Sequence, residues 1–179
     1  VYRLILANVR GAPMVRMDNM LIYASMKKAE ERLVEICKDY GIDVVRAATD
    51  EIIRATEKSV RETISKWPSG TYRSERASDS DGTRPDPVWV RLALTIKPDT
   101  GELVFDYSDS DKQVDFINSP LGNTHAVTVA GVCWCLPSGI PRNQGLYNCI
   151  NIIVKEGTVL DPKYPATTGA QACSLGEQI

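Results

Sequence analysis

The feature that most constrains the fold of this chain is a change in hydrophobic period at Pro68. Before this residue, apolar side chains recur at steps of three and four, the spacing of one face of an α-helix. After it, runs of β-branched and aromatic residues are separated by turn-forming residues, as in strands and hairpins. The order predicts helices followed by a sheet, which is the α+β class.

The helical part is expected to contain two long amphipathic helices. The first ends at Gly41, because glycine readily adopts the positive φ of a helix C-terminus. The second is predicted over about residues 44–66 and is stopped by Pro68. We expect an amphipathic helical hairpin over residues 18–66, with Leu33 among the buried side chains of its apolar face.

The sheet portion is expected over residues 67–165. The strand-like runs 88–96 and 103–107 flank a tight turn and predict a β-hairpin, and a further short strand is predicted at 149–154. A polar tail, 166–179, follows the sheet portion. We treat 1–179 as a single fragment of a larger subunit, since the first residues resemble an element already in progress; a trimmed small domain is the alternative.

The segment His125–Leu136 is rich in small and apolar residues. Its period fits a buried strand as well as a buried helix. Asn123 or Thr124 in front of it suits an N-cap, so a buried helix is favoured.

Composition excludes several classes of function. The formal net charge is −2, which argues against a generally basic nucleic-acid binder. The longest apolar run is too short for a membrane span, and no secretory signal opens the chain. The single histidine excludes a multi-histidine metal site within this chain. No nucleic-acid or membrane partner is expected, and no metal site.

The cysteines favour a cytoplasmic protein with reduced thiols. Their number is odd and no C-x-x-C pair occurs. We interpret them as small apolar side chains without a redox or metal role. They stand at Cys37, Cys133, Cys135, Cys149 and Cys173.

Three groups of polar residues are candidates for chemistry. Asp79-Ser-Asp81-Gly82 has the form D-x-D-G, either a solvated acidic turn or part of a cation site. Asp106 lies inside the predicted strand 103–107, on the face opposite Leu103, Phe105 and Tyr107, which are expected to face the core. This is an unusual place for a charge unless it faces a site or a partner. His125 opens the predicted buried helix and is a candidate catalyst, although such a histidine more often has a capping or core role.

Several short motifs, in order and spacing, resemble the hydantoinase B/oxoprolinase family. The P-x-G-x-Y…D-x-D-G pattern and a strand ending in an aspartate followed by an aromatic residue are the clearest. The matching segments are Leu6–Arg10, Trp67–Tyr72, Asp79–Gly82, Leu103–Tyr107, Ile117–Asn118, Ile140–Gly145 and Glu156–Ala166.

Within that family, Asn8–Pro13 and Met17–Met20 are most similar to the large α-subunits of the acetone carboxylase subgroup. Two departures from the family pattern also indicate a different substrate. Met17-Asp18 stands where members commonly carry Gly-Asp, and the acidic Ser108–Asp111 replaces a Gly-Thr-Ser loop.

The resemblance implies a fragment of an ATP-dependent carboxylase α-subunit that converts acetone and bicarbonate to acetoacetate. It implies ATP and a divalent, manganese-like metal in the complete complex, with the metal ligands upstream of this chain. The partners would be the remainder of the same subunit, a nucleotide-binding β-type subunit and a small γ-type subunit. The isolated fragment is expected to be inactive and to bind neither ATP nor metal.

Two alternatives stay open at this point. One is a fragment of an ATP-dependent hydantoinase or 5-oxoprolinase amidohydrolase subunit. The other is a non-catalytic packing and assembly module.

The resemblance also places two loop asparagines near the end of the strand that carries Asp106. We expect Asp106 to line a polar cleft close to Asn118 or Asn143. Asn118, Asn143 and Gly145 are the predicted substrate-binding residues, and Asp106 and His125 are the catalytic candidates.

Overall fold

A computed structural model describes residues 1–9 and 11–168. Helices come first and a four-stranded sheet follows, which confirms the α+β class. The helices are α1 (Tyr2–Ala7), α2 (Ala12–Tyr40), α3 (Ile42–Ile64), α4 (Leu121–Cys135) and α5 (Gln144–Tyr147). The strands are β1 (Gly70–Ser78), β2 (Val88–Lys97), β3 (Glu102–Asp106) and β4 (Ile150–Ile153).

The chain divides into two compact units, one ending at Glu51 and one beginning at Ile52. The first unit holds α1, α2 and the start of α3. Helix α2 ends as predicted at Gly41, whose φ is 84°. It begins at Ala12, six residues before the predicted hairpin, because Pro13 suits the first turn of a helix.

The apolar face of α2 is not a core in this chain, and the expectation for Leu33 is wrong. No residue of α2 is buried, and Leu33 is 55% exposed. Its spacing is helical, but periodicity identifies only which side chains share a face and not what covers that face.

The second unit contains the sheet and the hydrophobic core. The strand order is β1-β2-β3-β4, with the first two pairings antiparallel and β3–β4 parallel. The predicted core face of β3 is confirmed, since Leu103, Phe105 and the following Tyr107 are all buried. Val60 and Ile64 of α3 pack in the same cluster.

Strand β1 falls in a segment that the sequence shows only as polar. Apart from Tyr72, its side chains are charged or small on both faces, so no apolar period marks it. Its backbone nevertheless pairs with β2 along its whole length, from Gly70 opposite Ile96 to Ser78 opposite Val88. Backbone pairing, rather than burial of side chains, makes this segment a strand.

The small, apolar segment favoured as a helix does form one, α4, and this helix starts earlier than predicted. It begins at Leu121 after Pro120, so neither Asn123 nor Thr124 is its N-cap. One side is buried through Thr124, Thr128, Val129 and Val132. The other side is open, and Trp134 is 88% exposed.

Most of the predicted polar tail, from residue 169 onward, lies outside the described residues. Of its first residues, Thr168 forms a bridge to Asn118. Within the described parts of the chain, no helix combines the length and hydropathy that a membrane span requires.

Candidate functional site

The face of the sheet opposite the core carries charged side chains on three strands. Strand pairing sets Arg73 of β1 opposite Ala93 of β2, and Ala93 opposite Asp106 of β3. Glu75 and Arg91 form the next row on the same face. We call the recess formed there the polar-face cleft.

The polar-face cleft has a volume of about 380 Å³. This size falls in the lower part of the range of pockets that hold small molecules. Its lining residues are Arg73, Ser74, Glu75, Arg91, Leu92, Ala93, Asp106 and Asp109.

Asp106 stands at one end of the cleft in a position fixed by its own loop. One carboxylate oxygen accepts a hydrogen bond from the backbone N–H of Ser108 at 2.9 Å. Hydrogen bonds from Ser108, together with the positive charge of Arg73, lower the pKa of the Asp106 carboxyl. Asp106 is therefore an anion at neutral pH and can accept hydrogen bonds or attract a cation.

Arg91 fastens the acidic loop that follows β3. Its guanidinium donates to Asp111 at 2.7 Å and to the carbonyl oxygen of Asp109 at 3.0 Å. It lies 3.6 Å from Glu75 and 5.7 Å from the ring centre of Trp89. Arg91 is thus held by protein groups and shapes one wall of the cleft.

Arg73 differs from Arg91 because its guanidinium has no carboxylate of the described residues within 4 Å, and its charge acts on Asp106 only from a longer distance. It lies on the edge strand and is exposed. Ala93 lies between Arg73 and Asp106, and its small methyl side chain leaves the floor of the cleft unfilled. The cleft therefore presents an unpaired cation and a carboxylate at opposite ends of a small apolar floor.

Sequence reasoning missed Arg73, Arg91 and Ala93. Along β2 the aliphatic residues Val88, Val90, Leu92, Leu94 and Ile96 alternate with Trp89, Arg91, Ala93 and Thr95, which is a signal for a second, non-core face. Only the register across strands brings Arg91 and Ala93 beside Asp106.

The structure does not bring the predicted asparagines into the polar-face cleft. Asn118 is fully buried, and its side chain bonds the backbone N–H and carbonyl of Val114 and the carbonyl of Thr167. These bonds bring the loop after β3 and the chain near residue 167 together. A substrate-binding role for Asn118 stays a prediction, while its hydrogen bonds give it a structural one.

Asn143 and Gly145 join α5 to α3. Asn143 caps α5 by accepting from the Gly145 N–H at 2.8 Å, and its amide donates to the Thr56 hydroxyl at 2.9 Å. Gly145 is buried against the α3 backbone, where a Cβ would lie 2.7 Å from the Glu57 nitrogen. Both positions serve packing, and their predicted substrate-binding role is likewise untested.

The D-x-D-G segment is a loop in which Asp81 accepts hydrogen bonds from the residues that follow it. Asp81 is 2% exposed, and its carboxylate accepts from the Thr83 hydroxyl, the Thr83 N–H and the Arg84 N–H at 2.7–2.8 Å. The Thr83 hydroxyl, followed by these two backbone donors, lowers the pKa of Asp81 to about 2. The oxygens of Asp81 are thus occupied by protein donors, which favours the acidic-turn interpretation.

The remaining candidates lie apart from the cleft. His125 is half-buried in the second turn of α4 and does not line the cleft. Cys149 is buried, and desolvation raises the pKa of its thiol to about 11, so it is a poor nucleophile. Cys37, Cys133 and Cys135 are free thiols, and Cys173 lies outside the described residues.

The residues that the structure describes do not fit a divalent metal. Among residues 1–9 and 11–168, no group of three or more histidine, cysteine, aspartate or glutamate side chains is placed to hold an ion. The manganese-like metal implied by the resemblance therefore has no ligand set in the described part of this chain.

Comparison with known proteins defines the class. A sequence profile described as Hydantoinase B/oxoprolinase matches residues 1–179. The chain belongs to this family, as its motifs indicate.

Particular relatives carry amidohydrolase names. The chain is 30% identical to the candidate B-type subunit of a D-/L-hydantoinase from Pseudomonas sp. (strain NS671), over 96% of the chain and 31% of that protein. It is 26% identical to the beta subunit of the caprolactamase from Pseudomonas jessenii, over 93% of the chain and 28% of that protein. The chain thus spans about a third of the length of these relatives.

The crystal structure of the ATP-dependent caprolactamase from Pseudomonas jessenii has the same fold. The TM-score is 0.75 at 22% identity, covering 94% of this chain and 29% of that one. Neither these relatives nor this structure is named as an acetone carboxylase, so the subgroup expected from Asn8–Pro13 and Met17–Met20 is not shown by them.

Proposed function

We propose that the protein containing this chain is one subunit of an ATP-dependent enzyme that opens small cyclic amides. The observation that carries this proposal is the family match over residues 1–179, combined with relatives named as hydantoinase, caprolactamase and 5-oxoprolinase. In such a reaction the ring C–N bond breaks, water supplies the new carboxyl oxygen, and the nitrogen gains a proton.

ATP binding, metal binding and the polar-face cleft are expected in different parts of this enzyme. This sequence holds no G-x-x-x-x-G-K loop for nucleotide phosphates, so ATP is expected on a nucleotide-binding partner subunit. The described residues hold no metal ligand set, so any metal is expected in the remainder of the same subunit. This chain would supply the sheet that presents the polar-face cleft.

A second candidate is ATP-dependent carboxylation of a ketone such as acetone, with β-type and small γ-type partner subunits. The observation that favours it is the acidic Ser108–Asp111 loop in place of the family's Gly-Thr-Ser. Arg91 holds that loop through Asp111 and the Asp109 carbonyl, so the departure is built into the cleft wall. A different cleft wall is consistent with a substrate other than the cyclic amides of the family.

The two candidates are separated by assaying the full-length subunit with its partner subunit. ADP release is measured with hydantoin, 5-oxoproline and ε-caprolactam, and separately with acetone plus bicarbonate. We expect one cyclic amide to stimulate ADP release and to yield its ring-opened product. Acetone-dependent acetoacetate formation would establish the second candidate instead, and no stimulation by any compound would favour a non-catalytic assembly role.

Asp106 is the proposed catalytic candidate of this chain, with His125 the weaker one. Asp106→Asn keeps the shape and removes the charge. If the carboxylate acts on the substrate, kcat/KM of the complex falls by roughly tenfold or more, about 1.4 kcal/mol of transition-state stabilisation. Asp99→Asn, at the exposed β2–β3 turn, is the control and leaves kcat/KM unchanged. Equal kcat/KM for Asp106→Asn and the parent complex would remove Asp106 from catalysis.

A further inference from the structure

We propose that the polar-face cleft binds a small linear amino acid by both of its charged ends, the carboxylate at Arg73 and the ammonium at Asp106. The inference rests on the proposed function in one respect, since hydrolysis of a lactam produces such a molecule. The geometry and charges of the cleft supply the rest of its support.

Arg73 is the group suited to the carboxylate. It forms no ion pair with the described residues, whereas Arg91 is already bound to Asp111 at 2.7 Å and lies 3.6 Å from Glu75. An incoming carboxylate would have to compete with these groups at Arg91 but not at Arg73. Arginine also offers two parallel donors, which match a carboxylate.

Asp106 is the group suited to the ammonium. Among the described residues its carboxylate accepts only from Ser108, so it retains capacity for a further donor. It lies two strands from Arg73 across Ala93, and two strand spacings correspond to about 10 Å between the backbones. This backbone separation leaves room for a ligand whose two charges are joined by several methylene groups lying over the Ala93 methyl.

The test measures equilibrium binding by calorimetry to the full-length subunit with its partner. The probe is 6-aminohexanoate, compared with hexanoate, hexylamine and glycine. We expect 6-aminohexanoate to bind most tightly and glycine not to bridge the two ends. Arg73→Gln should weaken the binding of 6-aminohexanoate and of hexanoate by about tenfold or more and leave the binding of hexylamine unchanged. Asp106→Asn should weaken the binding of hexylamine and leave that of hexanoate unchanged.

Arg76→Gln is the matched control. It removes the same charge from the same strand, but the alternation of β1 places Arg76 on the opposite face of the sheet from Arg73. Its Kd for 6-aminohexanoate should equal that of the parent protein. Ala93→Leu is the second variant: it retains both charges, fills the cleft floor and should weaken 6-aminohexanoate by about tenfold or more. If Arg73→Gln does not fold, Ala93→Leu decides the question.

The inference is overturned if the parent protein does not bind 6-aminohexanoate, or if Arg73→Gln and Ala93→Leu bind it as tightly as Arg76→Gln does. Turnover measured in parallel separates this failure from failure of the proposed function. Cyclic-amide hydrolysis with no effect of these variants on binding would leave the function standing and reject the cleft. Variant-sensitive binding without cyclic-amide turnover would support the cleft and reject the function.

Discussion

At the scale of single residues, Gly145 shows how closely α5 and α3 approach. A Cβ at this position would overlap the Ile53 carbonyl oxygen and lie 2.7 Å from the Glu57 nitrogen. Because both obstacles are backbone atoms of a helix, we expect Gly145→Ala to destabilise the fold by about 1–3 kcal/mol. Thermal unfolding of the full-length subunit, with hydrogen exchange across residues 143–149, measures the effect.

The control for Gly145 is Gly131→Ala in α4. No atom lies within 4 Å of a Cβ built there, so only helix propensity changes. We expect a gain of about 0.5–1 kcal/mol. Equal effects at both positions would show that α5 is not packed on α3 in the way described.

Asp81 predicts a pH effect at the same scale. Its pKa is lowered from 3.8 to about 2 in the folded protein, so the folded state favours the ionised carboxylate. The resulting stabilisation is fully present above the unfolded pKa and is lost as pH falls through the folded pKa. In Asp81→Asn, unfolding stability should therefore fall less steeply between about pH 4 and pH 2.

Denaturant unfolding at a series of pH values tests this expectation. Asp79→Asn is the control, since Asp79 lies in the same loop and accepts no hydrogen bond from any residue the structure describes. Identical acid dependence in Asp81→Asn and Asp79→Asn would contradict the role assigned to Asp81.

At the scale of elements, Arg61 fastens α3 to the sheet. Its guanidinium donates to Glu57, to the Thr100 carbonyl in the β2–β3 turn at 2.7 Å and to the Asn148 carbonyl before β4 at 3.2 Å. Arg61→Met keeps the aliphatic stem and leaves these acceptors without their donor. Because Arg61 is 30% exposed and water can partly replace it, we expect a loss of about 1–2 kcal/mol.

Lys58→Met is the matched control on α3. Lys58 is 69% exposed and lies 3.8 Å from Glu62, a surface pair that contributes at most about 0.5 kcal/mol. Denaturant midpoints of the two variants are compared in the full-length subunit. A smaller loss for Arg61→Met than for Lys58→Met would show that α3 is held by its apolar face alone.

At the scale of the whole molecule, the sequence predicts that catalysis needs more than this chain. The chain has one histidine and no nucleotide-phosphate loop, and its described residues hold no metal ligand set. We expect the purified 179-residue chain to show neither ATP-dependent turnover nor stoichiometric transition metal. Elemental analysis that finds about one tightly held ion per chain would contradict this expectation.

The sequence by itself determined that helices precede the sheet and which face of β3 is the core face. Local period carries this information, because residues two apart in a strand and three or four apart in a helix share a face. It therefore predicted the burial of Leu103, Phe105 and Tyr107 and the opposite orientation of Asp106. The family motifs, which are also local, were enough to identify the hydantoinase B/oxoprolinase family.

Only the tertiary structure decided which polar groups meet. Arg73 and Asp106 are 33 residues apart in the chain, and the registers of two strand pairings place them on either side of Ala93. The same long-range packing turned Asn118 and Asn143 toward internal hydrogen bonds and left Leu33 exposed. Local period shows which face a side chain shares, whereas its partners depend on segments that are distant in sequence and meet only in the fold.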